Sequence, residues 1–263
     1  MSDISWLSRT HLLVGNEGIE ALQQAHVLVV GLGGVGSFAA EFIARSGVGE
    51  MTIVDGDVVD PSNRNRQLPA LATTHGLSKA DLMAERLLAI NPDLKLHVIK
   101  EFLTPEKVRE ILTVTSYSYV MDCIDSITPK LTLLTTALEY DYPIVSSMGA
   151  GGKYDPTKLL VADLFDTHEC KLAYYVRKRL RKYKINAGIK AVFSTEQVQK
   201  DSLMLTDGSN FKRSAYGTIS YLPATFGSVC ASVVIRELLG QRVELHKNPV
   251  LEQEKKKRKK LNS

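Results

Sequence analysis

The stretch Val27-Leu-Val-Val-Gly-Leu-Gly-Gly-Val-Gly-Ser37, followed by Met51-Thr-Ile-Val-Asp-Gly-Asp57, decides how this chain is read. An apolar run enters a Gly-x-Gly-x-x-Gly turn, a helix is due after it, and a second apolar run ends in an acidic residue. Gly31 permits the tight turn, Gly33 lets backbone amides approach a phosphate, and Gly36 lets the helix pack close to the strand. Asp55 stands at the spacing from which a carboxylate holds a ribose hydroxyl. The helix N-terminus adds unpaired N–H groups and the positive end of its dipole. Such a pattern marks a nucleotide site without saying which nucleotide. Glycines serving only strand–helix packing would leave Asp55 unexplained.

Outward from this unit the chain alternates short apolar runs with helical patterns. Strands are expected over 27–30, 51–54, 95–100, 119–123, 144–147, 159–163 and 191–194, and helices over 37–46, 78–88, 105–112, 128–139 and 168–183. The first helix carries Phe38, Phe42 and Ile43 on one stripe; Ser78 caps the second, which ends at Asn91-Pro92. This order predicts an α/β, Rossmann-like, doubly wound and mainly parallel sheet with helices on both faces and a C-terminal extension. Residues 1–26 read as an N-terminal helical arm, 27–240 as the nucleotide-binding domain and 241–263 as a basic, disordered tail. Residues 56–70 read as an irregular polar loop, and 200–216, with Asp207-Gly208-Ser209-Asn210, as a mobile one.

The composition sets bounds on function. Of 263 residues 44% are hydrophobic and 24% charged, ordinary for a globular chain. Net charge is +4, but the run Lys255-Lys-Lys-Arg-Lys-Lys260 carries six positive charges, so the body is near neutral and argues little for a polyanionic partner. Cys123, Cys170 and Cys230 form no Cys-x-x-Cys pair, which points to a reducing, cytoplasmic setting without a structural zinc. Cys123 and Cys230 read as core; Cys170 is the one in a polar setting, where packing or surface use is favoured over sulfur exchange. Residues 1–10 carry Asp3 and no apolar leader. Residues 217–235 lack charge but include Gly217, Ser220, Pro223 and Thr225, and read as a buried helix with membrane contact disfavoured.

Three residues beyond Asp55 select the chemistry. Arg66, Lys79 and Asp125 should stand at or just past the C-terminal ends of parallel strands, where ligands bind in such sheets. A nicotinamide coenzyme has two phosphates already served by the glycine turn. A triphosphate needs further cations, and a carboxylate to hold Mg²⁺. Lys79 at a helix start opposes the dipole, a mismatch that favours a functional role.

With Gly-x-Gly-Gly-x-Gly, Asp55-x-Asp57, Ser62-Asn63, Arg66-Gln67, Lys79, Ile90-Asn91-Pro92 and Asp125 in this order, the chain resembles the ubiquitin-activating-enzyme-like superfamily, which adenylates carboxylates. The resemblance implies an ATP site of Gly31, Gly33, Gly34, Gly36, Asp55, Asp57 and Asn63, with Asp55 on the ribose. It implies that Arg66 and Lys79 grip the triphosphate and that Asp125 binds Mg²⁺ beside the α-phosphate. Arg9 resembles the arginine that reaches into a neighbouring subunit's site, which implies a homodimer, although Trp6 replaces a family arginine three residues earlier. Two zinc-binding Cys-x-x-Cys pairs common in sulfur-carrier-activating members are missing. Instead, residues 57–67, Ser147-Met-Gly-Ala-Gly-Gly152, Asp155-Pro-Thr157 and the basic segment 171–184 are similar to the tRNA threonylcarbamoyladenosine dehydratases. That likeness implies ATP-driven cyclisation of threonylcarbamoyladenosine at tRNA position 37, with a sulfur-relay system (cysteine desulfurase or sulfur acceptor) as a further conceivable partner. Segment 171–184 puts Leu172, Val176, Leu180 and Tyr183 on one stripe, and Arg177, Lys178, Arg181, Lys182 and Lys184 are its candidate tRNA contacts. The alternatives are activation of a sulfur-carrier protein's C-terminal glycine, a nucleotide-binding scaffold without turnover, and a dinucleotide oxidoreductase.

Overall fold

The computed structural model describes residues 5–205 and 214–248. Seven strands form the main sheet: β1 (His26–Val30), β2 (Glu50–Val54), β3 (Lys95–Ile99), β4 (Tyr119–Asp122), β5 (Ile144–Ser147), β6 (Leu159–Asp163) and β7 (Lys190–Ser194). Their spatial order is β3-β2-β1-β4-β5-β7-β6, parallel except that β6 runs antiparallel to β7. The chain winds outward from β1 to β3, then returns to place β4 on the other side of β1. Connections leave β1 and β4 toward opposite faces, so a crevice opens between their C-terminal ends.

The strands alternate as a two-sided sheet requires. Val27 and Val29 join one core and Leu28 and Val30 the other. The first core is closed by α2 (Gly36–Arg45), α3 (Lys79–Ile90) and α7 (Tyr221–Leu238), which contribute Ile43, Met83 and Phe226. The second is closed by α4 (Pro105–Val114), α5 (Ile127–Glu139) and α6 (Lys171–Leu180), through Ile111, Leu134 and Val176. Ahead of β1 lies α1 (Ser8–Gln23), kinked at Gly15, where φ is 71°. Among the described residues no helix is long and apolar enough to cross a membrane.

Four expectations are corrected. Phe42 is 37% exposed, so the inner face of α2 is made by Ala39, Ala40, Ile43 and Ala44. The described parts of 200–216 hold an antiparallel pair, β8 (Leu203–Leu205) and β9 (Ser214–Tyr216); Asp207–Asn210 lie outside the described residues. Residues 241–248 are packed rather than a free tail: Val243 is buried, the His246 amide donates to the Val161 carbonyl at 2.7 Å, and Lys247 pairs with Asp166 at 3.2 Å. The basic run 255–260 lies outside the described residues. Tyr183 is 66% exposed and does not extend the apolar stripe of α6.

Candidate active site

The glycine turn has the geometry its sequence asks for. Gly31 adopts φ +89°, and its N–H donates to the Val54 carbonyl at 2.8 Å, tying the turn to the end of β2. A Cβ on Gly36 would lie 1.7 Å from the Gly31 carbonyl oxygen, so only glycine lets α2 start this close to β1. Asp55 is fixed beneath this turn. One carboxylate oxygen accepts from the Leu32 amide at 2.6 Å and the other from the Asp57 amide at 2.8 Å. Burial nonetheless pushes its carboxyl above the usual range, against those bonds and the nearby Lys79.

Lys79 is 4% exposed and its ammonium donates to Asp57 Oδ2 at 3.0 Å. Its own amide donates to the Asp57 carbonyl at 3.1 Å, so the first residue of α3 is fastened twice to the loop after β2. Asn63 closes a one-turn helix, Pro61–Asn63, by accepting from the Asp60 amide at 3.1 Å, while Asp60 accepts from Ser62 in return. Arg66 is braced by the Ser62 carbonyl at 3.1 Å and Asn65 Oδ1 at 2.8 Å. Gln67 faces Gly33, and its buried Oε1 has no hydrogen-bond partner among the described residues. A buried acceptor left unpaired costs about 1–3 kcal/mol, which marks a position where a bound ligand would supply the donor.

The opposite wall rests on a buried charge network. Asp122, fully buried at the end of β4, accepts from Lys130 Nζ at 2.5 Å and Ser146 Oγ at 2.5 Å. Its second oxygen accepts from the Ile124 amide at 3.1 Å, and Lys130 also donates to the Ser147 carbonyl at 3.0 Å. Thus one pair shapes both the loop presenting Asp125 and the start of segment 147–151. Cys123 lies beside it, with its thiol pushed up to about 12 by burial, and is therefore neutral.

Between the walls lies a cavity of about 570 Å³ at the C-terminal ends of the strands. Gly31, Gly33, Gly34, Asp55, Asp57, Asn63, Arg66, Lys79 and Asp125 all line it; Gly36 lies behind the turn, and Arg9 is exposed on α1 outside its own chain's cavity. Gln67 as a lining residue, the Asp122–Lys130 pair, and an apolar end formed by Phe102, Leu103, Ile124 and Met148 are not among the positions expected from the sequence. The position of 102 and 103 just past a parallel strand was the available signal.

The far end of the cavity reaches Gly149–Gly151 and Leu172 in the first turn of α6. Lys178, Arg181, Lys182 and Lys184 beyond it are exposed, with Tyr174 and Tyr175 edge-to-face at 5.4 Å. Arg177 differs from the expectation of a surface contact: it is half-buried and donates to the Leu164 carbonyl at 3.5 Å and to Thr167 Oγ1. Cys170, expected in a polar setting, is 7% exposed within the second core.

The ThiF family profile matches residues 7–261. The chain is 38% identical over 257 residues to tRNA threonylcarbamoyladenosine dehydratase of Escherichia coli (strain K12), covering 90% of this chain and 96% of that protein. It is 46% identical over 189 residues to the protein of the same name from Bacillus subtilis (strain 168), covering 72% and 74%. The crystal structure of E. coli tRNA N6-threonylcarbamoyladenosine dehydratase in complex with ATP matches with a TM-score of 0.79 at 38% identity, over 88% of this chain and 93% of that one. A glycine turn, an acid fixed beneath it and a buried lysine at a switch-point cavity thus accompany likeness along nearly the whole chain, and the chain belongs to the ThiF family.

Proposed function

We propose that the chain is an ATP-dependent tRNA threonylcarbamoyladenosine dehydratase acting at position 37 of tRNA, in the cytoplasm. The observation that carries this reading is that one cavity is lined both by the glycine turn and Lys79 and by Gly149–Gly151 and the first turn of α6. It offers a triphosphate site at one end and an acceptor entrance at the other.

In the reaction the threonyl carboxylate attacks the α-phosphorus of ATP and pyrophosphate leaves. The carbamoyl oxygen of the same side chain then attacks the activated carbonyl, AMP departs, a proton is lost, and an oxazolone ring remains. Ring closure is intramolecular and gains from proximity, so no enzyme nucleophile is needed. The neutral Cys123 thiol and the buried Cys170 fit that reading. Asp55 holds the ribose, and Arg66 and Lys79 neutralise charge building on the phosphates, an effect strengthened where water is excluded. Asp125 is an exposed carboxylate on the cavity wall, an oxygen donor of the type Mg²⁺ takes. Bound there, Mg²⁺ would withdraw charge from the phosphate oxygens.

Arg9 acts in a neighbouring copy's cavity. It shares the exposed side of α1 with Leu12 and Leu13, 76% and 85% exposed, an apolar strip that a second chain would cover in a homodimer. The anticodon stem-loop lies along α6 and the turn after it, where Lys178, Arg181, Lys182 and Lys184 meet its phosphates. Leu172 in the first turn of α6 lines the cavity, and at about 1.5 Å per residue Lys178 stands roughly 9 Å along the helix from it. Incubation with ATP, Mg²⁺ and tRNA carrying the open nucleoside should give, by mass spectrometry under mild handling, a nucleoside lighter by one water; intact substrate refutes the reading.

A further inference from the structure

At the N-terminal edge of the sheet, opposite the cavity, three strands bring a second chemistry together. In the register His26 of β1 pairs with Glu50 of β2, and His97 of β3 pairs with Thr52, two residues further along β2. A period of two puts all four side chains on one face of the sheet. There His97 Nε2 lies 2.8 Å from Glu50 Oε1, and His26 Nδ1 lies 3.6 Å from the same oxygen. The three potential ligand atoms lie within 4.8 Å of one another.

The surroundings of His26 add a separate argument. Its other ring nitrogen, Nε2, contacts Thr52 Oγ1 at 2.8 Å. With the proton on Nε2 donated to that hydroxyl, the Nδ1 lone pair points at Glu50. A cation between that lone pair and the carboxylate would select this tautomer, with the hydroxyl as the outer-sphere partner that orients the ring. His26 is 7% exposed and packed on Tyr117, with ring centroids 4.6 Å apart, so its ring is held rather than free to turn away. Lys95 places its ammonium 2.8 Å from Glu50 Oε1, a cation at the carboxylate that a metal ion would displace. Lys95 is 67% exposed and can swing into solvent.

We propose that His26, Glu50 and His97 bind a divalent transition-metal ion of the zinc class, tying β1, β2 and β3 together. Two imidazoles and one carboxylate suit Zn²⁺, Co²⁺ or Ni²⁺ and disfavour Mg²⁺, which takes oxygen donors. A fourth position remains for water, since His97 and Glu50 are partly exposed. None of the three residues lines the nucleotide cavity, so the site is distinct from the one proposed for ATP. Its role is mechanical: the same three strands carry Gly31, Asp55 and Phe102 at or just beyond their opposite ends.

The test is titration of metal-free, untagged, full-length protein with Zn²⁺ by calorimetry and with Co²⁺ by visible absorption. One equivalent per chain is expected, with Zn²⁺ raising the thermal midpoint in the absence of nucleotide. His97→Ala and Glu50→Gln, each checked for native circular dichroism, should weaken binding at least tenfold and abolish the thermal shift. Lys95→Met should bind Zn²⁺ at least as tightly as the unmodified chain. Absence of binding, or binding unchanged in both His97→Ala and Glu50→Gln, overturns the proposal. Loss of ATP-dependent activity plays no part in either outcome.

Discussion

On the nucleotide side of the cavity four polar side chains are already held: Asp55 by two backbone amides, Lys79 by Asp57, Asn63 by its capping turn and Arg66 by Ser62 and Asn65. On the acceptor side Lys178, Lys182 and Lys184 extend into solvent from α6 and the turn after it. Under the proposed function the contrast follows from the ligands. A nucleotide is small and its charge sits at fixed points, so charges set in place beforehand act strongly and one at a time. A nucleic-acid backbone is long and repetitive, so solvated cations act weakly and additively.

The largest effect should come from the floor that both sides share. Lys130→Met leaves Asp122 buried without its cation, and breaking such a pair by removing one partner costs about 3–5 kcal/mol. Urea unfolding should show that loss, and because the network shapes both loops, nucleotide and tRNA binding should fall together. A variant as stable as the parent would mean the two sides are built independently. The next effect breaks the comparison on one side only. Lys79→Ala should lower the turnover rate by about 10²–10³-fold, the loss seen when one preorganised donor to a developing charge is removed. tRNA affinity, measured by filter binding without ATP, should stay unchanged. Equal loss of both would show that Lys79 supports structure rather than phosphate.

On the acceptor side the expected response is graded. Replacing Lys178, Lys182 and Lys184 by alanine one at a time should weaken tRNA binding in small, similar steps. Each should reduce the slope of log affinity against log salt by about 0.7–0.9 per phosphate contact removed. ATP affinity should not move. Arg177→Ala should behave differently from its neighbours, because that guanidinium braces Leu164 and Thr167 and is not free for phosphate. It should lower stability and leave the salt slope unchanged.

What the sequence disclosed divides along the same line. The β1–α2–β2 unit was legible because its determinants are local: an apolar run, a glycine that must adopt φ +89°, a glycine that must lack a Cβ. The switch-point site followed, since topology sends Lys79 and Asp125 to the same end of the sheet. Asp122 and Lys130 were illegible because charged residues read as surface, and their complete burial depends on a partner eight positions away on another element. The β8–β9 pair escaped because three-residue strands in polar surroundings carry too little alternation to detect. Packing of 241–248 escaped because its partner, the bridge between Ala162 and His246, lies more than eighty residues back along the chain. Arg177 was read by helical period onto the basic face, and period alone does not reveal that a carbonyl and a hydroxyl from the preceding loop receive it.

The smallest effect sharpens the comparison from outside the cavity. Glu41 on α2 accepts from Arg45 Nε at 2.8 Å and from Arg86 Nε of α3 at 2.5 Å, bracing the two helices whose first turns hold Gly36 and Lys79. Burial pushes the Glu41 carboxyl up, but the two guanidinium hydrogen bonds outweigh it and hold the group below its ordinary 4.5. A carboxylate with a depressed folded-state pKa contributes stability that is fully present above 4.5 and is lost as pH falls through the lowered value. The arginines are about half exposed, at 51% and 45%, so solvent screening limits the contribution to about 1 kcal/mol or less. Glu41→Gln should therefore be slightly less stable than the parent at pH 7, and the difference in urea midpoint should shrink as the pH drops below 4.5. A difference that persists in acid would assign Glu41 to packing rather than charge. In neither case should the salt slope of tRNA binding change, because this brace joins α2 to α3, away from the exposed cations of α6 and the turn after it.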